Sequence, residues 1–504
     1  MGAKRVTIRQ EKQSDDARAE VDCSSQPVHE ACASDKTPLI VDLDGTLVRT
    51  DLLYESFFDT LSRDPKRLFD TGLVRKFSRE GLKAKLATTS RIDYAQLPYN
   101  EKVLAVVEEA RKEGRKTYLA TASHQSHGEG IAEALGLFDG VFASDDSVNL
   151  KGARKAELLV AQFGEGGFDY IGNHDSDHEI WKHARRAYSV DLAVSSSKRL
   201  TREHADHVVV EERRFDFKAL IKGLRPHQYA KNGLVFVPLL TAHQFNLFAI
   251  THALMAFAAF SLCASGAYLL NDLLDIQSDR GHPTKKNRPI ASGRLPITVA
   301  IALAPILTVL SFLIAFFVSP AFLLALAVYY VATNLYSFTL KKRMFTDVVV
   351  LALLYTLRVF AGAAAIDVVI SEWLFAFSLL IFTALALVKR YVELSTRLDK
   401  GLDDPSSRNY KIADLPIIAA LAASAGMNSV MVLALYVSSN DVARAYSHPH
   451  ILWGLCPLFL YWIARIVMLA HRRYVDEDPI AFALKDDRSW AVGLIAIALV
   501  LVAH

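Results

Sequence analysis

Four long stretches in the C-terminal half contain no Asp, Glu, Lys or Arg, and they constrain the fold more than any other feature. They are residues 232–271, 295–340, 415–440 and 445–464. A bilayer core about 30 Å thick requires roughly 20 apolar residues per helix, and each stretch is long enough to supply them. The pattern predicts nine membrane spans, at about 230–243, 246–276, 297–317, 320–338, 347–366, 372–396, 415–438, 450–471 and 489–504.

Charged residues are distributed unequally along the 504-residue chain. Residues 1–225 contain 35 Lys and Arg and 37 Asp and Glu, whereas residues 226–504 contain 22 and 17. We therefore expect a water-soluble domain over 37–215 and a membrane domain over 216–504. A net charge of +3 without a basic stripe argues against nucleic acid as a partner. Residues 1–36 are polar and lack an apolar core, which predicts a disordered tail rather than a secretory signal.

The loops between the predicted spans differ in charge, and this difference predicts the orientation. Loops 277–296, 339–346, 389–414 and 472–488 contain 18 Lys and Arg together, whereas the opposite loops contain only Arg444. Positively charged loops stay on the cytoplasmic side of a bilayer. We therefore predict a multi-pass protein of the cell (inner) membrane, with the soluble domain in the cytoplasm and the C-terminus outside.

Short apolar runs alternate with stretches of helical spacing in the N-terminal part. Helices are expected at 101–114 and 127–136, and the alternation predicts a parallel sheet covered by helices on both faces. Residues 52–100 interrupt it and are expected to form a small helical cap over the strand ends, where the active sites of such sheets lie. The predicted strands are Pro38–Val41, Lys116–Ala120, Gly140–Ala143, Phe168–Ile171, Leu192–Val194 and 205–210.

Three acidic residues stand at the cytoplasmic end of the second predicted span. Asp272, Asp275 and Asp279 are spaced i, i+3, i+7, which predicts that they share one face of a helix about two turns long. Carboxylates this close to hydrocarbon repel one another and require a compensating cation. Mg²⁺ prefers oxygen ligands and completes its shell with water and substrate phosphates. The cluster is therefore interpreted as a Mg²⁺ clamp for a diphosphate, although helix capping and pairing with nearby basic residues is the alternative.

Basic residues near the predicted cytoplasmic ends of the spans are candidates for binding phosphate. They are Lys231, Arg288, Lys389 and Arg390, and all four also satisfy the positive-inside pattern. Arg358 lies within the fifth span and requires an anionic or carbonyl partner, in either a structural role or one facing the substrate.

The acidic cluster is part of a longer motif. Asn271-Asp272-x-x-Asp275-x-x-x-Asp279, followed by Lys286-Asn287-Arg288-Pro289, resembles the first Asp-rich motif of UbiA-type intramembrane prenyltransferases. Tyr336-Ser337-Phe338, Asp347-Val348 and Arg358-x-x-x-Gly362 extend the resemblance, which covers residues 224–504. It implies an all-α bundle of nine transmembrane helices with a central cavity, transfer of groups from Mg²⁺-bound diphosphates, and metal binding by Asn271 and the three Asp residues.

Within this superfamily, the chain is most similar to the decaprenyl-phosphate phosphoribosyltransferase branch. The similarity rests on Leu224-Arg225-Pro226-x-Gln228-Tyr229-x-Lys231-Asn232, Lys389-Arg390-Tyr391-x-Glu393-Leu394, Arg408-Asn409-Tyr410 and Asp478-Pro479-x-x-Phe482-Ala483. It implies phosphoribosyl pyrophosphate as donor and polyprenyl phosphate as acceptor. Tyr391, Glu393 and Arg358 are candidates for the acceptor side. Asp399 and Asp403 form a D-x-x-x-D sequence that leaves open a second acidic clamp, as in members that use aromatic acceptors.

A different motif ends the first predicted strand. Ile40-Val41-Asp42-Leu43-Asp44-Gly45-Thr46 resembles the first motif of haloacid dehalogenase-like (HAD) phosphatases, over about residues 37–210. The resemblance implies an α/β Rossmannoid fold, with Asp42 as nucleophile and Asp44 as general acid/base. It also implies that Thr121 and Lys155 bind phosphate, and that Asp42, Asp44, Asn173 and Asp177 hold Mg²⁺. Asn173 stands where the family usually has Asp, which weakens the metal site and leaves a non-catalytic module as the alternative.

Together these patterns predict a fused membrane enzyme. Its membrane domain is expected to transfer phosphoribose to polyprenyl phosphate, and its HAD domain to act as a phosphatase. Two alternatives stay open: prenyl transfer from a prenyl diphosphate to an aromatic or other hydrophobic acceptor, and a membrane transporter with a regulatory HAD domain. The acids lie at the end of one span rather than at broken helices in the midplane, which disfavours the transporter.

Overall fold

A computed structural model describes residues 36–64, 79–145, 149–212, 214–405, 409–475 and 478–504. Residues 1–35 of the predicted tail, part of the cap and Arg408 lie outside this description. The chain divides into two compact units. The first comprises Met1–Leu220 and Asp272–Ala300, and the second comprises Ile221–Asn271 and Ile301–His504. The extent of the two domains proposed from the sequence stays a prediction, and the assignment of 272–300 to the first unit was not anticipated.

The first unit contains a six-stranded parallel sheet. Its order is β3-β2-β1-β4-β5-β6, so the first strand lies at the centre. Alternate residues of β1 pack on opposite faces, with Leu39 and Val41 in one core and Ile40 in the other. The strands are β1 Leu39–Val41, β2 Thr117–His124, β3 Gly140–Ser144, β4 Asp169–Gly172, β5 Arg186–Leu192 and β6 Val208–Glu212.

Helices cover both faces of this sheet, as predicted. The helix predicted over 101–114 is present at Glu101–Lys112, and the one predicted over 127–136 at Gln125–Leu135. The helices before the membrane region are α1 Leu52–Arg63, α2 Arg79–Thr89, α3 Glu101–Lys112, α4 Gln125–Leu135, α5 Ala153–Phe163, α6 His178–Trp181 and α7 Val194–Glu203. The helices α1 and α2 and a 3₁₀ turn at Tyr94–Gln96 form the described part of the predicted cap.

The strand predicted at Leu192–Val194 is wrong. Leu192 ends β5, and Val194 begins α7. The strand extends instead from Arg186, through a stretch in which Ser189 is buried. Ser189 interrupts the run of apolar residues from which a buried strand is predicted. Its hydroxyl lies 2.8 Å from Nε2 of His207, so the buried polar atom has a partner.

The remaining helices follow in chain order. They are α8 Phe217–Leu224, α9 Val237–Thr241, α10 Leu247–Leu274, α11 Ile276–Arg280, α12 Ile297–Val318, α13 Pro320–Phe338, α14 Thr346–Ala365, α15 Glu372–Asp399, α16 Leu415–Val437, α17 Asn440–Ala445, α18 Leu455–His471, α19 Pro479–Ala483 and α20 Asp487–Ala503. Within the described residues, seven helical stretches are long and apolar enough to span a membrane: Leu247–Leu274, Ile297–Val318, Pro320–Phe338, Thr346–Ala365, Glu372–Asp399, Ile412–Val437 and Pro449–His471.

Two of the nine predicted spans fall outside this set. The first consists of a 3₁₀ helix, Pro226–Phe236, followed by the five-residue α9. The ninth, α20, has 17 residues. The 3₁₀ helix packs closely on α14, because a Cβ added to Gly362 would lie 2.1 Å from the carbonyl oxygen of Val235. Small residues permit such close backbone approach between membrane helices. This contact fixes the segment that carries Lys231.

The acidic cluster does not lie on one continuous helix, contrary to the prediction. The helix α10 ends at Leu274, Asp275 leaves helical geometry, and α11 starts at Ile276. The side chain of Asp competes with helical backbone bonding, which makes such a break inexpensive. Helical hydrogen bonding resumes at once, since the Asp279 amide donates to the Asp275 carbonyl at 2.8 Å.

Candidate functional site

Two carboxylates of the acidic cluster converge on one cation. Asp272 and Asp279 are both buried, and Nη1 of Arg288 donates to Oδ1 of Asp272 at 3.1 Å and to Oδ2 of Asp279 at 2.6 Å. Because one nitrogen reaches both oxygens, the two carboxylates lie close together. Asp275 is half-buried, and Asn271 lies one residue before Asp272 on α10.

The carboxylates of this pair are buried close together, and Arg288 offsets part of their charge, as the ion-pair alternative in the sequence analysis predicted. Burial raises the pKa of Asp279 to about 6, and the neighbouring Asp272 adds to the rise against the opposing effect of Arg288. Burial also works against the charge of Arg288, yet Asp272 and Asp279 hold its pKa above the usual value. In the described part of the chain, no three His, Cys, Asp or Glu side chains form a complete metal cage. The donors fit Mg²⁺, which takes a few carboxylate oxygens and fills its shell with water and phosphate.

A second charged cluster lies in the second unit. Nζ of Lys231 lies 2.5 Å from Oδ2 of Asp478, and Nζ of Lys389 lies 3.1 Å from the same oxygen. The two lysines hold the pKa of Asp478 well below its usual range despite its burial. Two ammonium groups share one carboxylate, so the cluster retains a net positive charge. Lys231 is buried, and its Nζ also lies 5.8 Å from the ring centroid of Tyr355.

Asp478 was not recognised as a site residue. Its other carboxylate oxygen accepts the backbone N–H of Ile480 at 3.0 Å, so it also caps α19. The Asp-Pro pair at residues 478–479 signals such a cap, but nothing in the local sequence indicates lysine partners so distant along the chain.

Arg358 has neutral partners inside the bundle. Its Nε donates to Oδ1 of Asn232 at 3.0 Å, its Nη1 to the Leu354 carbonyl at 2.7 Å, and its Nη2 to the Tyr329 hydroxyl at 2.8 Å. The guanidinium also stacks over Tyr329 and Tyr355. Arg358 thus holds Asn232, the residue after Lys231, in place.

The motif at the end of α15 is divided between two environments. Arg390 is buried, with Nε 3.4 Å from Oδ2 of Asp347 and Nη1 bonded to Glu393. The Tyr391 hydroxyl lies 2.9 Å from Nδ1 of His471. Arg390 thus pairs with two carboxylates, while its Nη2 is buried without a hydrogen-bond partner among the described residues, and its role as a phosphate ligand stays a prediction.

The residues of the alternative acidic clamp lie on the surface. Asp399 accepts from Nε of Arg473 at 2.6 Å, and both side chains are substantially exposed. The Asp403 carbonyl accepts from Nε of Arg397 at 2.8 Å. This geometry gives no indication of a second buried clamp for a diphosphate.

In the first unit, the loop after β1 meets the ends of its neighbours. Asp42 Oδ1 accepts from Nζ of Lys155 at 2.7 Å, and Lys155 also donates to the Ala120 carbonyl at 3.0 Å and to the Tyr170 hydroxyl at 3.1 Å. Burial opposes the charge of Lys155, but Asp42, Asp177 and Asp44 raise its pKa above the usual value. The charges of three carboxylates therefore favour the charged form of one buried ammonium group.

Asp44 has the properties of a proton donor. Its Oδ1 accepts the Leu52 N–H at 2.9 Å, and its Oδ2 accepts the Ser123 hydroxyl at 2.5 Å. Burial, with the charge of Asp51, raises the pKa of Asp44 to about 7. A carboxyl group with this pKa can both release and accept a proton near neutral pH.

The fourth motif completes this group. Oδ2 of Asp177 accepts the backbone N–H groups of Asn173 at 3.1 Å and His174 at 3.0 Å. Burial and the charge of Asp42 raise the pKa of Asp177 to about 6. The side chain of Asn173 lies against Gly45 in the first loop. This set of oxygen donors fits Mg²⁺, with an amide in place of one acid.

Thr121 also lies near the strand ends. Its Oγ1 accepts the Ser123 N–H at 2.9 Å, and the side chain is buried. It therefore orients the serine that donates to Asp44.

Comparison with known proteins identifies the family of the C-terminal half. The model of the UbiA prenyltransferase family matches residues 234–485, half of the chain. The uncharacterized protein y4nM of Sinorhizobium fredii is 36% identical over 475 residues, which cover 93% of this chain and 92% of that protein. The decaprenyl-phosphate phosphoribosyltransferase of Mycolicibacterium smegmatis is 34% identical over 231 residues, 45% of this chain and 72% of that protein.

Solved structures are similar to each half separately. A UbiA homologue from Archaeoglobus fulgidus bound to DMAPP and Mg²⁺ has 14% identity and a TM-score of 0.44, covering 56% of this chain and 99% of that chain. A phospho-aspartyl intermediate analogue of phosphoserine phosphatase has 16% identity and a TM-score of 0.26, covering 37% and 98%. The chain belongs to the UbiA prenyltransferase family, as an integral membrane transferase.

Proposed function

We propose that the membrane domain transfers phosphoribose from phosphoribosyl pyrophosphate to a polyprenyl phosphate, with Mg²⁺ bound to the acidic cluster. The observation that carries this proposal is the buried pair Asp272 and Asp279. Their carboxylates lie close enough together for one nitrogen of Arg288 to bond to both, so the cluster can bind a positive charge. The Mg²⁺ ion would be held by these carboxylates, with Asn271 and Asp275 as further ligands, and would neutralise the pyrophosphate as it leaves.

The cluster of Lys231, Lys389 and Asp478 supports an anionic acceptor. Two ammonium groups that share one carboxylate can bind a phosphate by charge-assisted hydrogen bonds. A phosphate oxygen of the lipid attacks the anomeric carbon, the bond from that carbon to pyrophosphate breaks, and pyrophosphate leaves. No proton transfer is required, since a phosphate anion is already a nucleophile. The name of the Mycolicibacterium smegmatis relative agrees with this choice of substrates.

The HAD domain is proposed to hydrolyse a phosphate monoester, and the 5-phosphate of the transferred ribose is the first candidate. Asp42 attacks the phosphorus while Asp44 protonates the departing alcohol oxygen, and water then cleaves the aspartyl-phosphate. Lys155 and Thr121 hold the phosphate, and Mg²⁺ at Asp42, Asn173 and Asp177 would neutralise it, while the Asp44 side chain, which the resemblance also implied as a ligand, carries the proton instead. We place this domain in the cytoplasm and the protein in the inner membrane, on the basis of the loop charges.

The test uses the full chain in lipid nanodiscs with Mg²⁺. Labelled phosphoribosyl pyrophosphate and labelled geranyl diphosphate compete for decaprenyl phosphate and an aromatic acceptor, and mass spectrometry identifies the lipid products. We expect phosphoribosyl lipid from the Asp42→Asn variant and its dephosphorylated form from the unaltered chain. Prenylated product alone would support the alternative prenyltransferase. If the unaltered chain and the Asp42→Asn variant gave identical products, the HAD domain would not act on the transferase product.

A further inference from the structure

A buried ion pair joins the first cap helix to the segment that carries the acidic cluster, within the first unit. Nη1 of Arg280 lies 2.7 Å from Oε2 of Glu55, and Nη2 lies 2.5 Å from Oε1. The side chains are 3% and 0% exposed. Such two-point contacts between guanidinium and carboxylate fix both distance and orientation.

Neighbouring groups satisfy the remaining polar atoms of the pair. Glu55 also accepts from the Thr50 hydroxyl at 2.5 Å and from Nε2 of Gln277 at 2.7 Å, and Nε of Arg280 donates to the Ala291 carbonyl at 3.0 Å. A fully bonded buried pair is costly to break from one side, because the other charge is left without compensation.

A second contact joins the same two parts of the unit. Gly293 has φ +70°, and a Cβ added there would lie 2.7 Å from Cβ of Arg49 and 2.9 Å from its carbonyl oxygen. Only glycine combines this backbone conformation with so close an approach. The segment Asp272–Ala300 is therefore held at two points, one on each side of Arg288.

Each partner of the ion pair lies next to a residue of one of the two acidic sites. Glu55 lies in the first turn of α1, whose first amide, that of Leu52, donates to Asp44. Arg280 directly follows Asp279 in the five-residue α11. The ion pair that fixes Arg280 therefore also fixes α11, and with it the Asp279 carboxylate that bonds to Arg288.

We propose that Glu55 and Arg280 are positioning residues of the transferase, so that binding of a Mg²⁺-diphosphate depends on the cap helix of the HAD domain. This inference rests on the proposed diphosphate site but not on the identity of the donor. Glu55 does not touch the diphosphate, and it acts by fixing α11 through Arg280.

The first test measures binding of inorganic pyrophosphate with Mg²⁺ to the full chain in nanodiscs by calorimetry. We expect Glu55→Gln to weaken binding about tenfold, and Glu55→Asp, which keeps the charge, to weaken it less. The matched control is Glu179→Gln, which breaks an exposed ion pair to Lys182 in the same domain and is expected to leave affinity unchanged. Equal affinity of Glu55→Gln and the unaltered chain would overturn the inference.

The second test needs no metal. Hydrogen exchange in Mg²⁺-free buffer should become faster over residues 272–300 in Glu55→Gln and not in Glu179→Gln, and unchanged exchange would contradict the proposal. If Glu55→Gln does not fold, Gln277→Ala removes one bond to Glu55, and a two- to fivefold loss of pyrophosphate affinity is expected, with no loss overturning the inference. Absence of pyrophosphate binding to the unaltered chain would instead refute the proposed diphosphate site itself.

Discussion

The two acidic sites of this protein compensate their carboxylates in different ways. In the N-terminal α/β domain, proposed above to be HAD-like, Asp42 has Lys155, Asp44 has Ser123 and a backbone amide, and Asp177 has two backbone amides. In the acidic cluster, one nitrogen of Arg288 bridges Asp272 and Asp279. Carboxylates with separate partners are held in position before any ligand arrives, whereas a bridging guanidinium must yield part of its contacts when a metal binds.

The two sites also differ in the elements that position their carboxylates. The HAD carboxylates are positioned by adjacent parallel strands, whose carboxyl ends meet at one edge of the sheet. The acidic cluster depends on a helix break and a loop, which are held in turn by Glu55 and Gly293. Both sites therefore use partners outside their own motifs, since Asp42 and Asp44 bond to Lys155 and Ser123.

The largest expected effect separates the two chemistries. Asp42→Asn should lower phosphatase activity by about 10⁴-fold or more, because the amide cannot serve as the nucleophile. Hydrolysis of p-nitrophenyl phosphate by the full chain measures this loss. Pyrophosphate binding serves as the control and should stay within about twofold of the unaltered chain. Retained phosphatase activity would exclude Asp42 as the nucleophile.

The reciprocal change is Asp279→Asn. We expect transfer to fall by about 10³-fold, because one carboxylate charge is lost from the diphosphate clamp, whereas phosphatase activity is retained. Incorporation of labelled donor into lipid measures transfer, and hydrolysis of p-nitrophenyl phosphate measures phosphatase activity. A variant that transfers normally would remove Asp279 from the clamp.

A smaller effect is expected in the lysine cluster. Lys231→Met should raise the KM for polyprenyl phosphate by about 10- to 100-fold, since a charge-assisted hydrogen bond is worth about 1.5–3 kcal/mol. Lys389→Met should have less effect, because its side chain is 32% exposed against 8% for Lys231. The exposed Lys400 supplies the control, as Lys400→Met. A change confined to kcat would argue that Lys231 does not bind the acceptor.

The smallest effect is a dependence of stability on pH. Burial, with the charge of His124, lowers the pKa of His127 to about 4, and its ring contacts the hydroxyls of Ser56 and Tyr94. The unfolded chain takes up this proton below about pH 6.5 and the folded chain only near pH 4, so stability falls as the pH falls between these values. The free energy of unfolding should be about 1.4 kcal/mol lower at pH 5.5 than at pH 8.

Hydrogen exchange of the sheet amides in the full chain, recorded at several pH values, measures this dependence of the unfolding free energy. His127→Gln keeps polar atoms in place without the titration, so its unfolding free energy should change less over the same range. An equal pH dependence in both proteins would assign it to other groups.

The strongest local signals were sufficient to predict much of the fold. Apolar β1 followed by Asp42 and Asp44 indicated the strand and the loop, and the charge-free stretches indicated the membrane helices. The break at Asp275 was missed because side-chain spacing alone does not register a loss of helical geometry.

Long-range partners could not be predicted from local sequence. Asp478 pairs with Lys231 across 247 residues, and Glu55 pairs with Arg280 across 225. Each residue, seen alone, is an ordinary helix-capping or helix-surface acid. Only the folded arrangement shows that such acids are buried against a cation.

The tether between Glu55 and Arg280 has a consequence for how deletion data are interpreted. A truncated chain that lacks the HAD domain would expose a guanidinium that normally lies in a dry, fully bonded setting. Loss of lipid product in such a truncation would not demonstrate that the deleted half performs a chemical step. Removal of Glu55, which fixes Arg280, would have the same outcome. Point variants that leave the ion pair intact are the informative choice for assigning reactions to each half.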